Sequence, residues 1–243
     1  MTRDEQWLLK EKYGGKKVSE FTADRRRLSI GEPVAYVIGW QPFLDLRINL
    51  DSKPLIPRTE TEWWTEQLLK ETSSTAHLKF LDLCAGSGAI GCAALARLPN
   101  AHVYFGEIDQ AHKMTILKNI RENDLDESRA SVHIGDLFDS FSNMQFDIIA
   151  ANPPYIPTNR VLPSSVFDYE PSLALMAGKD GLDLIRRIVN ELPKHLTITG
   201  TAWIECDSTT AGIVKGLVLA QNLHAKVRTD QYGEPRVVVV SFH

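Results

Sequence analysis

Short runs of apolar residues alternate along most of the chain with segments in which apolar positions recur every three or four residues. The first pattern indicates buried strands and the second indicates amphipathic helices. From residue 78 onward we predict strands at 78–84, 102–107, 130–134, 146–151, 199–206, 225–230 and 236–242. We predict helices at 89–97, 110–122, 182–195 and 208–221. This alternation is typical of an α/β fold: a mostly parallel, seven-stranded sheet with helices on both faces and ligands at the carboxyl ends of its strands.

The residues before 78 follow a different pattern. Two charged segments have weak helical periodicity, and a stretch at 35–50 that alternates between apolar and polar residues predicts a β-hairpin or an extended connector. Pro54 and Pro57 then precede a helical segment at 61–69. We therefore expect three units: a short helical segment at 1–34, a β-hairpin connector at 35–57 and the main domain at 58–243.

Composition narrows the class of protein. The chain has 243 residues, 43% of them hydrophobic, and 27 basic residues against 31 acidic ones give a net charge of −4. A chain of this length buries a large core without disulfides or a structural metal. The negative balance argues against direct nucleic-acid binding. Because no apolar run is long enough for a membrane span and no signal peptide is visible, we expect a cytoplasmic protein, and we expect a monomer.

The cysteines and histidines do not form a recognisable site. Cys84, Cys92 and Cys206 are odd in number and lie within or beside apolar stretches, which favours reduced, packed thiols over disulfides. The 7 histidines are scattered without metal-ligand spacing. We therefore expect no metal.

A glycine-rich loop follows the first strand of the main domain. Gly86 and Gly88 allow a sharp turn and a close approach to a ligand, and the helix after them begins with free amides. Glu107 ends the next strand, where a carboxylate accepts ribose hydroxyls. The same spacing also satisfies the dinucleotide fingerprint, so the loop alone leaves an oxidoreductase and a methyltransferase equally open. Asp82, just before the loop, favours the methyltransferase because it would meet a cationic amino-acid tail or brace the loop.

A second motif, Asn152-Pro153-Pro154-Tyr155, directly follows the fourth predicted strand. An amide or exocyclic amine nitrogen is a poor nucleophile because its lone pair is delocalised. The Asn152 side-chain oxygen and the Pro153 carbonyl would each accept one N–H bond of such a nitrogen and turn it towards an electrophilic carbon. The two prolines hold these acceptors in place, and Tyr155 offers an aromatic face to a flat amide or base.

With both motifs placed, the chain resembles the class I, S-adenosylmethionine-dependent methyltransferases with a Rossmann-like fold, and specifically the release-factor glutamine N5-methyltransferases. The resemblance extends over roughly residues 32 to 240. The further stretches that carry it are 32–39, 55–62, 169–171, 180–182 and 230–236. Cys84 and Thr59 depart from it, because that family usually has glycine and proline at these positions, and the front end leaves only about 31 residues for the family's helical amino-terminal domain.

The resemblance implies both a substrate and a cofactor. The substrate would be the glutamine of a Gly-Gly-Gln motif in a peptide-chain release factor, which is the expected partner. The cofactor would be S-adenosyl-L-methionine, with S-adenosyl-L-homocysteine as the product. Matched residue by residue, the cofactor site comprises Asp82, Ala85, Gly86, Gly88, Glu107, Asp136, Leu137 and Asn152. The catalytic residues are Asn152, Pro153 and Tyr155, and the substrate site adds Pro154 and Arg58, with Glu62 beside it.

Several alternatives remain open at this stage. An adenine-N6 or other nucleic-acid amine methyltransferase would use the same four-residue motif on a flipped base, but no basic target-reading domain is visible. A nicotinamide-dependent dehydrogenase would explain the glycine loop and not the second motif. A non-catalytic binding module is the third alternative. We expect Trp63-Trp64 to be a packing pair, and Glu205, at the end of a strand, to face either the ligand or a structural partner.

Overall fold

The protein forms an α/β fold in this computed structural model, which describes residues 1–242. Its helices are Arg3–Tyr13 (α1), Ser19–Ser29 (α2), Val34–Ile38 (α3), Thr59–Glu71 (α4), Ala89–Arg97 (α5), His112–Glu122 (α6), Ser164–Phe167 (α7), Asp183–His195 (α8) and Ala211–Ala220 (α9). Its strands are Trp40–Phe43 (β1), Leu46–Asn49 (β2), Lys79–Leu83 (β3), His102–Glu107 (β4), Ala130–Ile134 (β5), Phe146–Ala151 (β6), Leu196–Glu205 (β7), His224–Thr229 (β8) and Pro235–Ser241 (β9).

The main sheet has seven strands in the order β5-β4-β3-β6-β7-β9-β8. The five strands from β5 to β7 are parallel, and β9 pairs antiparallel with both β7 and β8. The predicted fold class, a mostly parallel seven-stranded sheet, is therefore confirmed. The strand order reverses next to β3, and in open α/β sheets this reversal marks the crevice where ligands bind.

Two apolar layers hold the helices against the sheet. On one face, α4, α5 and α6 bury side chains such as Trp64, Cys92 and Ile116 against β3 and β4. On the other face, α8 and α9 pack on β6, β7 and β9. Gly91 lets α5 approach the sheet, because a Cβ there would lie 2.2 Å from the Phe105 ring. Within the described part of the chain, no helix combines the length and hydropathy needed to cross a bilayer.

The first part of the segment predicted as a hairpin forms a short helix instead. The β1–β2 hairpin forms at 40–49, as predicted, but residues 34–38 form α3 rather than extended chain. The prediction was wrong there because a run of consecutive apolar residues has no period that distinguishes a strand from a buried helix. Pro33 before α3 and Gly39 after it, with φ 98°, are the residues that punctuate this helix.

Helices α1 and α2 pack onto α3 and the start of the hairpin. Leu8, Phe21, Val37 and Ile38 form a small buried cluster of their own. Asp24 ties the two helices together, since it accepts hydrogen bonds from Lys12 (2.7 Å), the Tyr13 hydroxyl (2.7 Å) and Arg27 (3.0 Å). Lys12 also donates to the Val37 carbonyl (2.8 Å), which connects α1 to α3.

Candidate active site

The carboxyl ends of the parallel strands surround a cavity at the sheet's reversal point. Six of the residues predicted for the site line it, namely Gly86, Glu107, Asp136, Leu137, Asn152 and Pro154. They come from the end of β4 and from the loops that follow β3, β5 and β6. Because parallel strands end at the same edge of a sheet, residues more than sixty positions apart in sequence meet here.

The glycine loop turns through three left-handed residues. Cys84, Gly86 and Gly88 have φ values of 62°, 55° and 77°, and α5 begins immediately afterwards. Glu107 fixes the position of this loop: its Oε2 accepts a hydrogen bond from the Gly86 amide (2.7 Å), and its Oε1 accepts one from the Asp109 amide (2.8 Å). The carboxylate thus connects the loops after β3 and β4 while it lines the cavity.

Asp82 lies beneath the glycine loop and is fully buried. Its Oδ2 accepts a hydrogen bond from the Gly91 amide (2.8 Å), so it braces the first turn of α5. Its Oδ1 has no hydrogen-bond partner among the described residues. The pKa of this carboxyl is raised to about 8, mainly by burial; the Gly91 hydrogen bond acts to lower it, and the charge of Glu107 acts to raise it.

The other predicted site residues are not part of the cavity lining. Ala85 and Gly88 belong to the backbone of the glycine loop, and Pro153 and Tyr155 belong to the second motif. Arg58 donates a hydrogen bond to Glu170 (2.6 Å), whose second oxygen accepts one from the Ile56 amide (3.1 Å). This contact fastens the chain before α4 to the segment that supplies Pro171, Leu173 and Ala174 to the cavity wall.

Asn152 takes part in a buried hydrogen-bond network. Its Nδ2 donates to Thr61 Oγ1 (3.1 Å), and Thr61 Oγ1 donates to Glu205 Oε2 (2.7 Å). The same carboxylate accepts hydrogen bonds from Trp64 Nε1 (2.6 Å) and the Tyr155 hydroxyl (3.0 Å). Neither Asn152 Oδ1 nor the Pro153 carbonyl accepts a hydrogen bond from any residue between 1 and 242.

Burial shifts the proton equilibria of this network. It raises the pKa of Glu205, while hydrogen bonds from Trp64, Thr61 and Tyr155 act in the opposite direction. It also raises the pKa of Tyr155 well above its usual range, and the neighbouring Glu205 adds to this effect. The Tyr155 hydroxyl therefore remains protonated and available as a donor.

Solved structures that share this fold include methyltransferases. A methyltransferase from Pyrococcus furiosus superposes with a TM-score of 0.60 at 16% identity, covering 90% of this chain and 97% of that one. The 16S rRNA N2 G1207 methyltransferase of T. thermophilus, in complex with AdoMet and guanosine, gives 0.59 at 18% identity, covering 84% and 50%. At these identities the likeness establishes the fold alone.

Sequence relatives identify the family. The model of the methyltransferase small domain matches residues 59–164. The release factor glutamine methyltransferase of Lactococcus lactis is 30% identical over 237 residues, which are 96% of this chain and 86% of that protein. Its counterpart in Thermodesulfovibrio yellowstonii is 35% identical over 217 residues, 86% and 76% of the two chains. The chain belongs to the release factor glutamine methyltransferase family.

As a member of the release factor glutamine methyltransferase family, the chain is a methyltransferase. The family and the fold class expected from the sequence are thereby confirmed. The relatives favour this interpretation over the three alternatives that the sequence left open, namely a nucleic-acid amine methyltransferase, a nicotinamide-dependent dehydrogenase and a non-catalytic module.

Some residues of the site in this family member were not predicted from the sequence. Ile108, His112 and Leu173 line the cavity, and Thr61 contacts Asn152. Ile108 could have been predicted as a site residue, because it directly follows a strand. Thr61 gave none, because its partners lie 91 and 144 residues away in sequence. Trp64 is buried, as the packing interpretation of Trp63-Trp64 expects, whereas 38% of Trp63 is exposed.

Proposed function

We propose that this protein transfers a methyl group from S-adenosyl-L-methionine to the side-chain nitrogen of the Gly-Gly-Gln glutamine in a peptide-chain release factor. One observation carries the proposal: two carbonyl-type acceptors, Asn152 Oδ1 and the Pro153 carbonyl, stand at the strand ends around the cavity without donors from the described residues. The names of the relatives from Lactococcus lactis and Thermodesulfovibrio yellowstonii support this substrate.

The cavity fits the cofactor. Left-handed backbone at Gly86 brings main chain, without a side chain, to the cavity wall. Asp82 braces the glycine loop from beneath through the Gly91 amide, and Glu107 lines the cavity with a carboxylate that suits ribose hydroxyls. Asp136 and Leu137 would flank the adenine. When bound, S-adenosyl-L-methionine supplies an electrophilic methyl carbon on a sulfonium sulfur.

Asn152 and Pro153 would orient the substrate. Each offers one acceptor to one N–H of the glutamine amide, so the nitrogen lone pair faces the methyl carbon as it localises. One N–C bond forms and one S–C bond breaks, and the nitrogen then releases a proton to solvent. Orientation of this kind contributes on the order of 7–11 kcal/mol to the lowering of a barrier.

This transfer needs no general base from the chain. Glu205 is the carboxylate that hydrogen bonds connect to Asn152, through Thr61. It is fully buried, however, and already accepts hydrogen bonds from three side chains. The amide nitrogen becomes acidic once it is alkylated, so water can take its proton. Positioning, rather than proton abstraction, therefore accounts for catalysis here.

We also propose that the protein works in the cytoplasm, where release factors act. Three free cysteines, Cys84, Cys92 and Cys206, support a reducing compartment. Each has its thiol pKa raised by burial, which keeps the thiols protonated and unreactive.

Mass spectrometry of purified release factors incubated with the protein and S-adenosyl-L-methionine tests the proposal. We expect a gain of one methyl group on the peptide that contains Gly-Gly-Gln, at the glutamine. A release factor in which this glutamine is replaced by alanine is the matched control and should gain nothing. Methylation of nucleic acid instead, or of the alanine-substituted factor to the same extent, would overturn the proposal.

A further inference from the structure

The buried carboxylate of Glu205 has a defined hydrogen-bonding state. The Trp64 indole N–H can only donate, and it lies 2.6 Å from Glu205 Oε2, so this oxygen is an acceptor. Thr61 Oγ1 lies 2.7 Å from the same oxygen. The one hydroxyl proton of Thr61 is therefore directed at Glu205.

This direction leaves the Thr61 oxygen with only lone pairs to offer Asn152, 3.1 Å away. An asparagine side chain has a donor nitrogen and an acceptor oxygen, and only the nitrogen can satisfy a lone pair. The amide must therefore present Nδ2 to Thr61 and turn Oδ1 away from it. The opposite rotamer would place two acceptor oxygens against each other.

We propose that Glu205 and Thr61 are positioning residues for methyl transfer, which lock the Asn152 amide with its oxygen turned towards the substrate. The inference rests on the proposed function, because it explains why Asn152 is ready to accept an N–H bond from the glutamine amide. Without this lock, the Asn152 amide could rotate by half a turn. Its N–H group, instead of its oxygen, would then face the N–H of the glutamine amide.

The surroundings make the lock rigid. Glu205 and Asn152 follow directly on Ile204 and Ala151, which pair in the parallel register of β6 and β7. Thr61 and Trp64 lie one turn apart on α4, and Trp64 stacks on Trp203 with ring centroids 6.4 Å apart. Residues whose rotamers are fixed by packing hold a functional group in place before substrate binds.

Removing the Thr61 hydroxyl tests the inference with a matched control on the same helix. Thr61→Val should lower kcat for release-factor methylation on the order of tenfold, as the loss of one hydrogen bond in a buried network does. Thr61→Ser should restore most of the rate. Thr65→Val makes the same change one turn further along α4, where the buried hydroxyl has no partner among the described residues, and should leave kcat unchanged. In each variant, KM for S-adenosyl-L-methionine should stay within about twofold of the wild type.

The chemistry of Glu205 provides a second pair of variants. A glutamine there keeps one acceptor oxygen for Thr61 and Trp64, and its nitrogen can donate to the Tyr155 oxygen, so Glu205→Gln should retain most of the rate. Glu205→Met fills a similar volume but offers no acceptor. The Thr61 proton is then free to turn to Asn152 Oδ1 and reverse the amide, so kcat should fall as in Thr61→Val.

NMR of isotope-labelled protein without substrate gives a readout that is independent of activity. The side-chain amide signals of Asn152 are assigned by their absence from Asn152→Asp. They should shift in Thr61→Val and Glu205→Met and stay unchanged in Thr65→Val. Identical signals in wild type and Thr61→Val, or a Thr61→Val enzyme with wild-type kcat, would overturn the inference. If wild type methylates no release factor, the proposed function fails, whereas the NMR comparison still decides how Asn152 is held.

Discussion

Asn152 and Glu107 line the same cavity but serve different parts of the proposed reaction. Asn152, after β6 and next to the buried network around Glu205, offers an oxygen that accepts no hydrogen bond from residues 1–242. Glu107 ends β4, and both of its oxygens already accept backbone amides from neighbouring loops. Substituting each residue should therefore change a different kinetic quantity, and the two variants serve as controls for each other.

Asn152→Ala should reduce turnover with little change in cofactor affinity. Loss of one fixed polar partner of a reacting group costs about 10²–10³-fold in kcat. Single-turnover methyl transfer to a release factor measures this loss, and calorimetry with S-adenosyl-L-methionine should give a dissociation constant close to that of wild type. Turnover at the wild-type rate would reject the role assigned to the Asn152 oxygen.

Glu107→Gln should have the converse effect. The amide group cannot accept hydrogen bonds on its nitrogen, so either the Gly86 or the Asp109 amide loses its partner, and the ribose loses a charged acceptor. Since a hydrogen bond to a charged group is worth about 1.5–3 kcal/mol, the affinity for S-adenosyl-L-methionine should fall at least tenfold. Equal calorimetric affinities for variant and wild type would contradict the assignment of Glu107 to the cofactor.

Asp82 should make the stability of the cofactor-free protein depend on pH. Burial raises its pKa from 3.8 to about 8, so the folded state keeps a proton that the unfolded chain releases above pH 4. Its contribution to stability is therefore complete below pH 4 and is lost as pH rises towards 8. The side chain of Asp82→Asn cannot ionise. Between pH 5 and pH 8, the free energy of unfolding of this variant should therefore rise relative to that of wild type by on the order of a few kcal/mol.

Urea unfolding at several pH values measures this difference. The exposed Asp168 provides the control variant Asp168→Asn, which should follow the wild-type curve. Parallel stability curves for Asp82→Asn and wild type would show that the Asp82 carboxyl has an ordinary pKa in the folded protein.

At the residue scale, the site residues that could be predicted are those that belong to a recognisable pattern in the neighbouring sequence. Gly86, Glu107 and Asn152 each follow a strand or end one, and the structure brings all three to the cavity. The contacts of Thr61 depend on the packing of α4 over β7, which no short motif encodes. The position of Asp82 could be predicted from the sequence, but not that its second oxygen lacks a partner in the described part of the chain.

At the scale of helices and strands, the agreement between predicted and observed boundaries depends on what ends each segment. The strands β4, β5 and β6 begin and end where the apolar runs do. β7 instead begins at Leu196 rather than 199, because α8 passes into it without an intervening loop. Helix α3 has no periodicity to reveal it. Boundaries set by turn residues are therefore predictable, and those set by packing are not.

The loop of the second motif depends on a close contact with the chain before α8. Gly181, with φ 77°, lies so near that a Cβ would be 2.3 Å from the Tyr155 carbonyl oxygen and 3.0 Å from Pro157. Only glycine combines this backbone conformation with this approach. The position of Tyr155, and with it that of Asn152, is thus coupled to a turn almost thirty residues downstream.

Gly181→Ala should therefore impair both stability and activity. The left-handed conformation costs alanine about 1–2 kcal/mol, and the collision with a backbone oxygen adds to that cost. Gly233→Ala is the matched control, since Gly233 has φ 84° and a Cβ there would meet no described atom within 4 Å. We expect both variants to lose stability in urea unfolding, and Gly181→Ala alone to lose methyl transfer, by about tenfold or more. Equal activities would show that this contact does not shape the motif.

At the scale of the whole molecule, the amino-terminal helices and the cavity are structurally separate. The residues that line the cavity lie between Leu55 and Leu184. Helices α1 and α2 instead surround their own apolar cluster and contact the rest through α3 and the hairpin. Loosening these helices should therefore leave cofactor binding intact.

Asp24→Ala tests this separation. Asp24 is buried and accepts from Lys12, Tyr13 and Arg27, so its removal leaves partly buried donors without an acceptor, at a cost of about 1–3 kcal/mol. Amide hydrogen exchange should accelerate on the order of tenfold in α1 and α2 and stay unchanged in β3 to β7, because local opening draws on local contacts.

The exposed Glu20 on the same helix accepts a hydrogen bond from its neighbour Ser19, so Glu20→Ala should leave exchange unchanged and serves as the control. The dissociation constant for S-adenosyl-L-methionine should be the same in both variants and wild type, because the hydrogen-bond partners of Asp24, namely Lys12, Tyr13 and Arg27, are not residues of the cavity wall. Faster exchange throughout the sheet in Asp24→Ala would mean that the amino-terminal helices and the sheet unfold as one cooperative unit. In that case their separate apolar cluster would carry no independent stability.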